Sequence, residues 1–428
     1  MAERRSAAGA ASRLSVAFVS HFVPYPPIGG AFQRNYNLLR LIAREHDVHL
    51  VAVRHKKVVY ASVSIEDALA ALRPLCASLE LVDLSHRTGP AALALGSARS
   101  MATGEALSVR LYRSDALRSA IRGVVARVRP AVLQLDTIGL AQYLDEAAGA
   151  ATVVGHHNVE SAFLQRRVAF ERNPLARVFF RHEAARLADY ERAMCPRADV
   201  NVMVSNDDAA QLARETGGRV AVVSNGVDIE AFVPVHRQPG SRTLVFAGRQ
   251  DQPANRDAIR HFARTAWPAI RAAVPDARLL VVGANPPADV QALASERAGI
   301  EVTGFVADVR PYFERAAAVV IPLRDGGGTR LKVIDAMALG MPVLSTTFGV
   351  SGLDLEPDRD VLLADDPAAF AAQAARLFND VDLQARLGGR ARAIAEARFG
   401  WPRIAADLSA VYLDAVRRRQ GASGEARS

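Results

Sequence analysis

Lysine is almost missing from this chain. Of its 53 basic residues only Lys56, Lys57 and Lys332 are lysines, so nearly all of the positive charge is carried by arginine. Cysteine is equally scarce: Cys76 and Cys195 are too few and too far apart for a disulfide framework or a Cys-x-x-Cys metal site, and they fit buried thiols in a reducing compartment. No apolar run approaches the length of a membrane span. Residues 1–13 are rich in Ala, Ser and Arg and lack the apolar core of a signal peptide, so they and residues 419–428 are expected to be tails on a cytoplasmic protein.

The remainder has the balance of a folded soluble chain. It has 428 residues, 50% hydrophobic and 23% charged, enough for two domains. The formal net charge of +8 is spread along helical stretches without a DNA- or RNA-reading motif, which argues against a nucleic-acid partner. An anionic membrane surface fits such charge better. The segment 164–187 interleaves Arg166, Arg167, Arg172, Arg177, Arg181 and Arg186 with Phe170, Leu175, Val178, Phe179 and Phe180, a basic amphipathic pattern that suits either peripheral attachment or a helix packed on the domain with a solvated basic edge.

Strand-like and helix-like patterns alternate throughout, which predicts βα units and a parallel sheet. Apolar runs recur at 14–20, 48–53, 79–84, 132–136, 152–155 and 200–205, and then restart at 243–248, 278–283, 300–303, 318–323 and 343–346. The α/β fold expected is two Rossmann-like domains facing each other across a cleft. The first spans 14–232 and is completed by a C-terminal helix over 401–418. A proline-containing linker covers 233–242, and the second domain spans 243–400.

The stretch Asp325-Gly-Gly-Gly-Thr-Arg-Leu-Lys-Val-Ile-Asp335 lies between an apolar strand and a helix. Its glycines allow close backbone approach, Thr329 is a good N-cap, and the helix turns free N–H groups and its positive dipole end towards the loop. That arrangement suits a diphosphate. Neither the Walker spacing nor G-x-G-x-x-G is present.

This stretch, with Ala336-Met337-Ala338, Gly340, Pro342 and Val343 behind it, resembles the donor-site element of glycosyltransferase family 4. Those are retaining, nucleotide-sugar-dependent enzymes of the GT-B fold. The family pattern, two Glu separated by seven residues, reads here as Gly327 and Asp335. The resemblance implies that Asp335 grips the donor ribose, that the first acid is lost, and that Gly327, Gly328, Thr329, Arg330, Leu331 and Lys332 line the donor phosphates. It extends from Leu14 to about Ala410, with Asn225-Gly-Val-Asp228 as a register marker.

Further positions follow from the same resemblance. Gly29 and Gly30, after the first strand, lie at a glycine-rich turn lining the cleft. His157, at a strand end in His156-His157-Asn158, corresponds to a histidine near the donor sugar. Glu160 either faces the acceptor or caps the next helix. Arg249 corresponds to a cation on the leaving diphosphate; a second cation, a lysine a few residues later in the family, is absent, leaving Arg330, Lys332 or Arg256 to supply it. The loop at Phe305 implies main-chain contact with the base.

No metal and no cofactor are expected, the nucleotide sugar being a co-substrate. The implied function is transfer of a sugar to a hydroxyl of a glycan, lipid-linked or small-molecule acceptor, as in cell-surface polysaccharide or glycoconjugate synthesis. The alternatives are a non-catalytic nucleotide-sugar-binding protein and a nucleotide-sugar 2-epimerase.

Overall fold

Every apolar run read as a strand is a strand. The computed structural model describes residues 13–55, 63–87, 89–171, 173–238, 240–326 and 330–425. One sheet contains β1 (Ser15–Ser20), β2 (Asp47–Arg54), β3 (Ser78–Asp83), β4 (Val132–Leu135), β5 (Ala151–Gly155), β6 (Val200–Met203) and β7 (Val220–Val222), in the order β3-β2-β1-β4-β5-β6-β7. The other contains β8 (Thr243–Ala247), β9 (Arg278–Val282), β10 (Ile300–Gly304), β11 (Ala318–Ile321), β12 (Val343–Ser345) and β13 (Leu362–Leu363), in the order β10-β9-β8-β11-β12-β13. All pairings are parallel. β4, β5, β6, β11 and β12 are buried at every position, which is why they read as unbroken apolar runs rather than alternating ones. The short β7 and β13 leave no such signature.

In each sheet the chain winds outward in both directions from a central pair, β1 and β4 in one and β8 and β11 in the other. Between such a pair the connections diverge and open a crevice at the carboxyl ends of the strands, where open α/β sheets bind ligands.

Two compact units result: Met1–Met203, Ala209–Val223 and Ala405–Ser428 in one, Val204–Asp208 and Ser224–Ile404 in the other. The chain changes units at Ser224, ahead of the expected linker at 233–242. Residues 233–238 pack on the second unit: Val235 N donates to Leu339 O (3.1 Å), Gln238 N to Glu314 O (2.8 Å), and Arg237 to Gln384. Aperiodic, proline-containing chain can be packed wherever its backbone groups find partners.

The C-terminal helix runs over Trp401–Glu425, longer than the 401–418 expected. From Ala405 it belongs to the first unit, held by Ser409 against His46 (2.6 Å), by Tyr412 against Gln134 and by Arg419 against Asp199 (2.8 Å). The expected tail at 419–428 is therefore helix as far as Glu425. At the other end Arg13 pairs with Asp47, while residues 1–12 lie outside the described residues.

Candidate functional site

In the first unit, three neighbouring strands deliver a polar cluster to their carboxyl ends. His21 follows β1, Asp136 follows β4 and His157 lies two residues past β5. Asp136 Oδ2 accepts from His21 Nδ1 (3.0 Å) and from the Asn35 side chain, and its Oδ1 lies 3.8 Å from His157 Nε2. Burial alone would raise the Asp136 carboxyl, but the nearby His157 imidazole and the hydrogen-bonded His21 hold it well below the usual carboxylate range.

The two adjacent histidines separate cleanly. His156 is buried, donates from Nε2 to Asn201 Oδ1 (3.0 Å), and is pushed down to about 4 by burial, so it is a core residue. His157 faces the cluster, its ring 5.6 Å from that of His21. His55, just past β2, is buried with neither ring nitrogen hydrogen-bonded and is also lowered to about 4 by burial. Glu160 opens the helix Glu160–Phe170 but does not cap it. Glu191 does, accepting from Glu160 N (2.9 Å) and Ser161 N (3.3 Å). Gly29 precedes the helix Gly30–Glu45 with φ 92°, a conformation that favours glycine.

No metal-ligand cluster is visible in the sequence spacing, yet folding brings one together: one ligand atom each from His21, Asp136 and His157 lies within 4.8 Å of the others. The sequence also holds two Asp-x-Asp strings, and three of their four carboxylates have structural partners. Asp358 pairs with Arg376, and Asp360 with Arg390 (2.9 Å) and Glu356 N (3.1 Å); Asp380 caps the helix Val381–Ile394 through Leu383 N (2.7 Å).

In the second unit, the crevice between β8 and β11 collects the donor-site candidates. Gly327, Gly328 and Thr329 lie outside the described residues. The helix behind them is Leu331–Ala338 with Arg330 in the N-cap position, so the cap expected at Thr329 falls one residue later. The Arg330 guanidinium donates to Ser351 Oγ (3.1 Å) and stacks over Phe348 at 4.4 Å. Lys332 and Asp335 stand one turn apart on this helix. Burial pushes the Asp335 carboxyl up to about 7, opposed by Lys332, and pushes the Lys332 ammonium down to about 8, opposed by Asp335. Both side chains are half-buried, so a carboxylate and an ammonium stand together at the edge of solvent, where perturbed groups of this kind can meet a polar ligand.

Arg249 extends from the end of β8 as expected, but its guanidinium is 59% exposed and forked onto Asp251 (3.1 and 2.6 Å). Three of its five donors remain for a ligand. Phe305 follows β10 and is 78% exposed. Sequence reasoning missed His21, Asn35 and Asp136. The only signal was their place at strand ends and on the first helix, which carries nothing until the strand order is known.

Two Rossmann-like parallel α/β domains, with glycine and charged residues at the crossover of each sheet, are the architecture of the GT-B fold. Residues 28–231 match the model for Glycosyltransferase Family 4 and residues 241–380 that for Glycosyl transferases group 1, and the chain belongs to glycosyltransferase family 4. It is 29% identical over 262 residues to a D-inositol 3-phosphate glycosyltransferase of Xylanimonas cellulosilytica, covering 54% of this chain and 60% of that protein. A phosphatidyl-myo-inositol mannosyltransferase of Mycolicibacterium smegmatis is 28% identical over 224 residues, 48% of this chain and 55% of its own. The matches thus span little more than half the length of these curated relatives. Among solved structures, sucrose-phosphate synthase from Thermosynechococcus elongatus aligns with TM-score 0.67 at 19% identity over 96% of this chain and 100% of its own. Anabaena HepE in complex with UDP and glucose aligns with TM-score 0.59 at 14% identity, over 93% and 99%. At such identities the likeness is one of fold.

Proposed function

We propose that this protein transfers a hexose from a nucleotide-sugar donor to a hydroxyl of a glycan, lipid-linked or small-molecule acceptor, with retention at the anomeric carbon. The observation that carries the reading is the half-buried Lys332–Asp335 turn behind the glycine-rich loop, set at the crossover of the second sheet near Arg249. A carboxylate there accepts from ribose hydroxyls, and the neighbouring cations take up the charge that develops on the leaving diphosphate. The relatives named above act on inositol phosphate or phosphatidylinositol, which supports a polar hydroxylated acceptor.

The nucleotide sugar is a co-substrate in this reading, and no cofactor takes part. Turnover is tested by incubating the protein with a panel of UDP-, GDP- and ADP-sugars and following release of the nucleoside diphosphate. Excess EDTA is expected to leave the rate unchanged, because cationic side chains and backbone N–H groups replace a metal at the diphosphate. A rate lost in EDTA and restored by Mg²⁺, Mn²⁺ or Zn²⁺ would assign a metal, with His21, Asp136 and His157 as the first residues to test. Binding without any turnover would instead favour a non-catalytic module, and the anomeric configuration of the product, read by NMR, tests retention.

A cytoplasmic protein attached peripherally to an anionic membrane is the location that fits this reading. Among the described residues no helix is long and apolar enough to cross a membrane. On the helix Pro174–Met194, Leu175 is 80% and Val178 57% exposed, beside exposed Arg177 and Arg181. Apolar side chains interleaved with arginine favour the surface of an anionic bilayer. The protein is expected to sediment with phosphatidylglycerol vesicles and not with phosphatidylcholine vesicles. Equal partition between the two, or no loss of binding in Leu175→Asp/Val178→Asp, would rule this surface out.

A further inference from the structure

Three strands that are neighbours in the first sheet, β1, β4 and β5, release His21, Asp136 and His157 at their carboxyl ends. Adjacent strands run about 5 Å apart, so side chains leaving three of them at the same end converge on one small volume. One ligand atom from each residue lies within 4.8 Å of the other two. An ion held at about 2 Å by all three, the reach of zinc to imidazole nitrogen and carboxylate oxygen, needs ligand atoms roughly 3.3 Å apart. The separations here lie on either side of that value: 3.0 Å from His21 Nδ1 to Asp136 Oδ2 and 3.8 Å from His157 Nε2 to Asp136 Oδ1.

The surroundings support these side chains in the way that outer-shell partners support metal ligands. Asp136 Oδ2 also accepts from the Asn35 side chain, which reaches Ser20 Oγ (3.3 Å), so the helix Gly30–Glu45 orients the carboxylate. The His21 ring meets Phe22 (centroids 4.4 Å) and Tyr112 (6.0 Å) edge to face. His157 Nε2 is what hydrogen bonding leaves over. It is shielded from solvent and has no hydrogen-bond partner among the described residues. A buried nitrogen in that state is short of a ligand. Two imidazoles and one carboxylate favour Zn²⁺ and its transition-metal neighbours over Mg²⁺ and Ca²⁺, which take oxygen ligands. All three ligands come from strand ends, and three protein ligands leave a fourth zinc position open.

We infer that His21, Asp136 and His157 bind one Zn²⁺-class ion, and that this ion inhibits the transferase without taking part in transfer. The binding stands on the cluster alone, and the inhibition rests on the nucleotide-sugar reading. His157, set beside the transferred sugar in that reading, gives its Nε2 lone pair to the ion. The ion and its bound water then fill the space in front of the strand ends. Zinc switches transfer off and its removal switches transfer on, with no metal in the working enzyme.

Calorimetry of Zn²⁺ against the metal-free protein tests the site, with one ion per chain expected and no competition from Mg²⁺. Asn35→Ala, which keeps all three ligands but frees the Asp136 carboxylate, should weaken zinc roughly 10- to 100-fold. His21→Gln and Asp136→Asn should weaken it more, and His86→Gln, at an exposed histidine outside the cluster, should change nothing. Parent affinity in His21→Gln and Asp136→Asn would overturn the site. Should those variants not fold, diethyl pyrocarbonate labelling of the unaltered protein decides: Zn²⁺ should shield His21 where Mg²⁺ does not, and equal labelling overturns it. In the transfer assay saturating Zn²⁺ should remove most of the rate and EDTA should return it. Zinc that binds without lowering the rate, or a rate that EDTA abolishes, would overturn the inhibitory role. If no nucleotide sugar is turned over at all, the nucleotide-sugar reading has failed, and calorimetry and labelling still decide the site.

Discussion

Asp335→Ala is expected to abolish transfer by emptying the donor site rather than by slowing the chemistry. The carboxylate sits on the helix Leu331–Ala338, dry enough to be raised to about 7, with the Lys332 ammonium one turn away. Accepting from two ribose hydroxyls, it should contribute roughly 100-fold to nucleotide affinity. Asp335→Glu, which keeps the charge, should lose less than Asp335→Asn, which keeps the shape. The raised value also fixes a pH dependence. The carboxylate form is present above about 7 and is lost as pH falls, so nucleotide affinity should weaken between about 8 and about 6. In Asp335→Asn that limb should vanish. Calorimetry showing unchanged nucleotide affinity in Asp335→Ala would remove the residue from the donor site.

Arg249→Ala should cost roughly 10²-fold or more in turnover with a smaller loss in donor binding, because the charge on the diphosphate grows as the glycosidic bond breaks. Arg249→Lys should recover only part, since a point charge cannot replace a fork. The fork is now held by Asp251 at 2.6 and 3.1 Å, so donor phosphates compete with that carboxylate or share the guanidinium with it. Asp251→Asn separates these cases: if the pair restrains Arg249, freeing it tightens diphosphate binding. Steady-state turnover of Arg249→Ala within a few-fold of the parent would show that the arginine serves Asp251 alone. Lys332→Met proving far more damaging than Arg249→Ala would place the main cation on the helix Leu331–Ala338.

The sequence by itself determined the α/β class, eleven of the strands and the loop–helix that carries Asp335, because these are local. Strands buried on both faces are apolar at every position, and a glycine run before a helix needs no distant partner to be recognised. It also placed His157 and Arg249 at strand ends. Only the tertiary structure decided which side chains meet. His21, Asp136 and His157 are over a hundred residues apart at the extremes, and they converge because β1, β4 and β5 are neighbours in the sheet, an order that no spacing encodes. The fold likewise turned His156 into the core, gave the helix cap to Glu191 instead of Glu160, and moved the unit boundary to Ser224. Charge in a sequence says what a residue can bind; desolvation and the nearest competing partner, which exist only in the folded chain, say what it is free to bind.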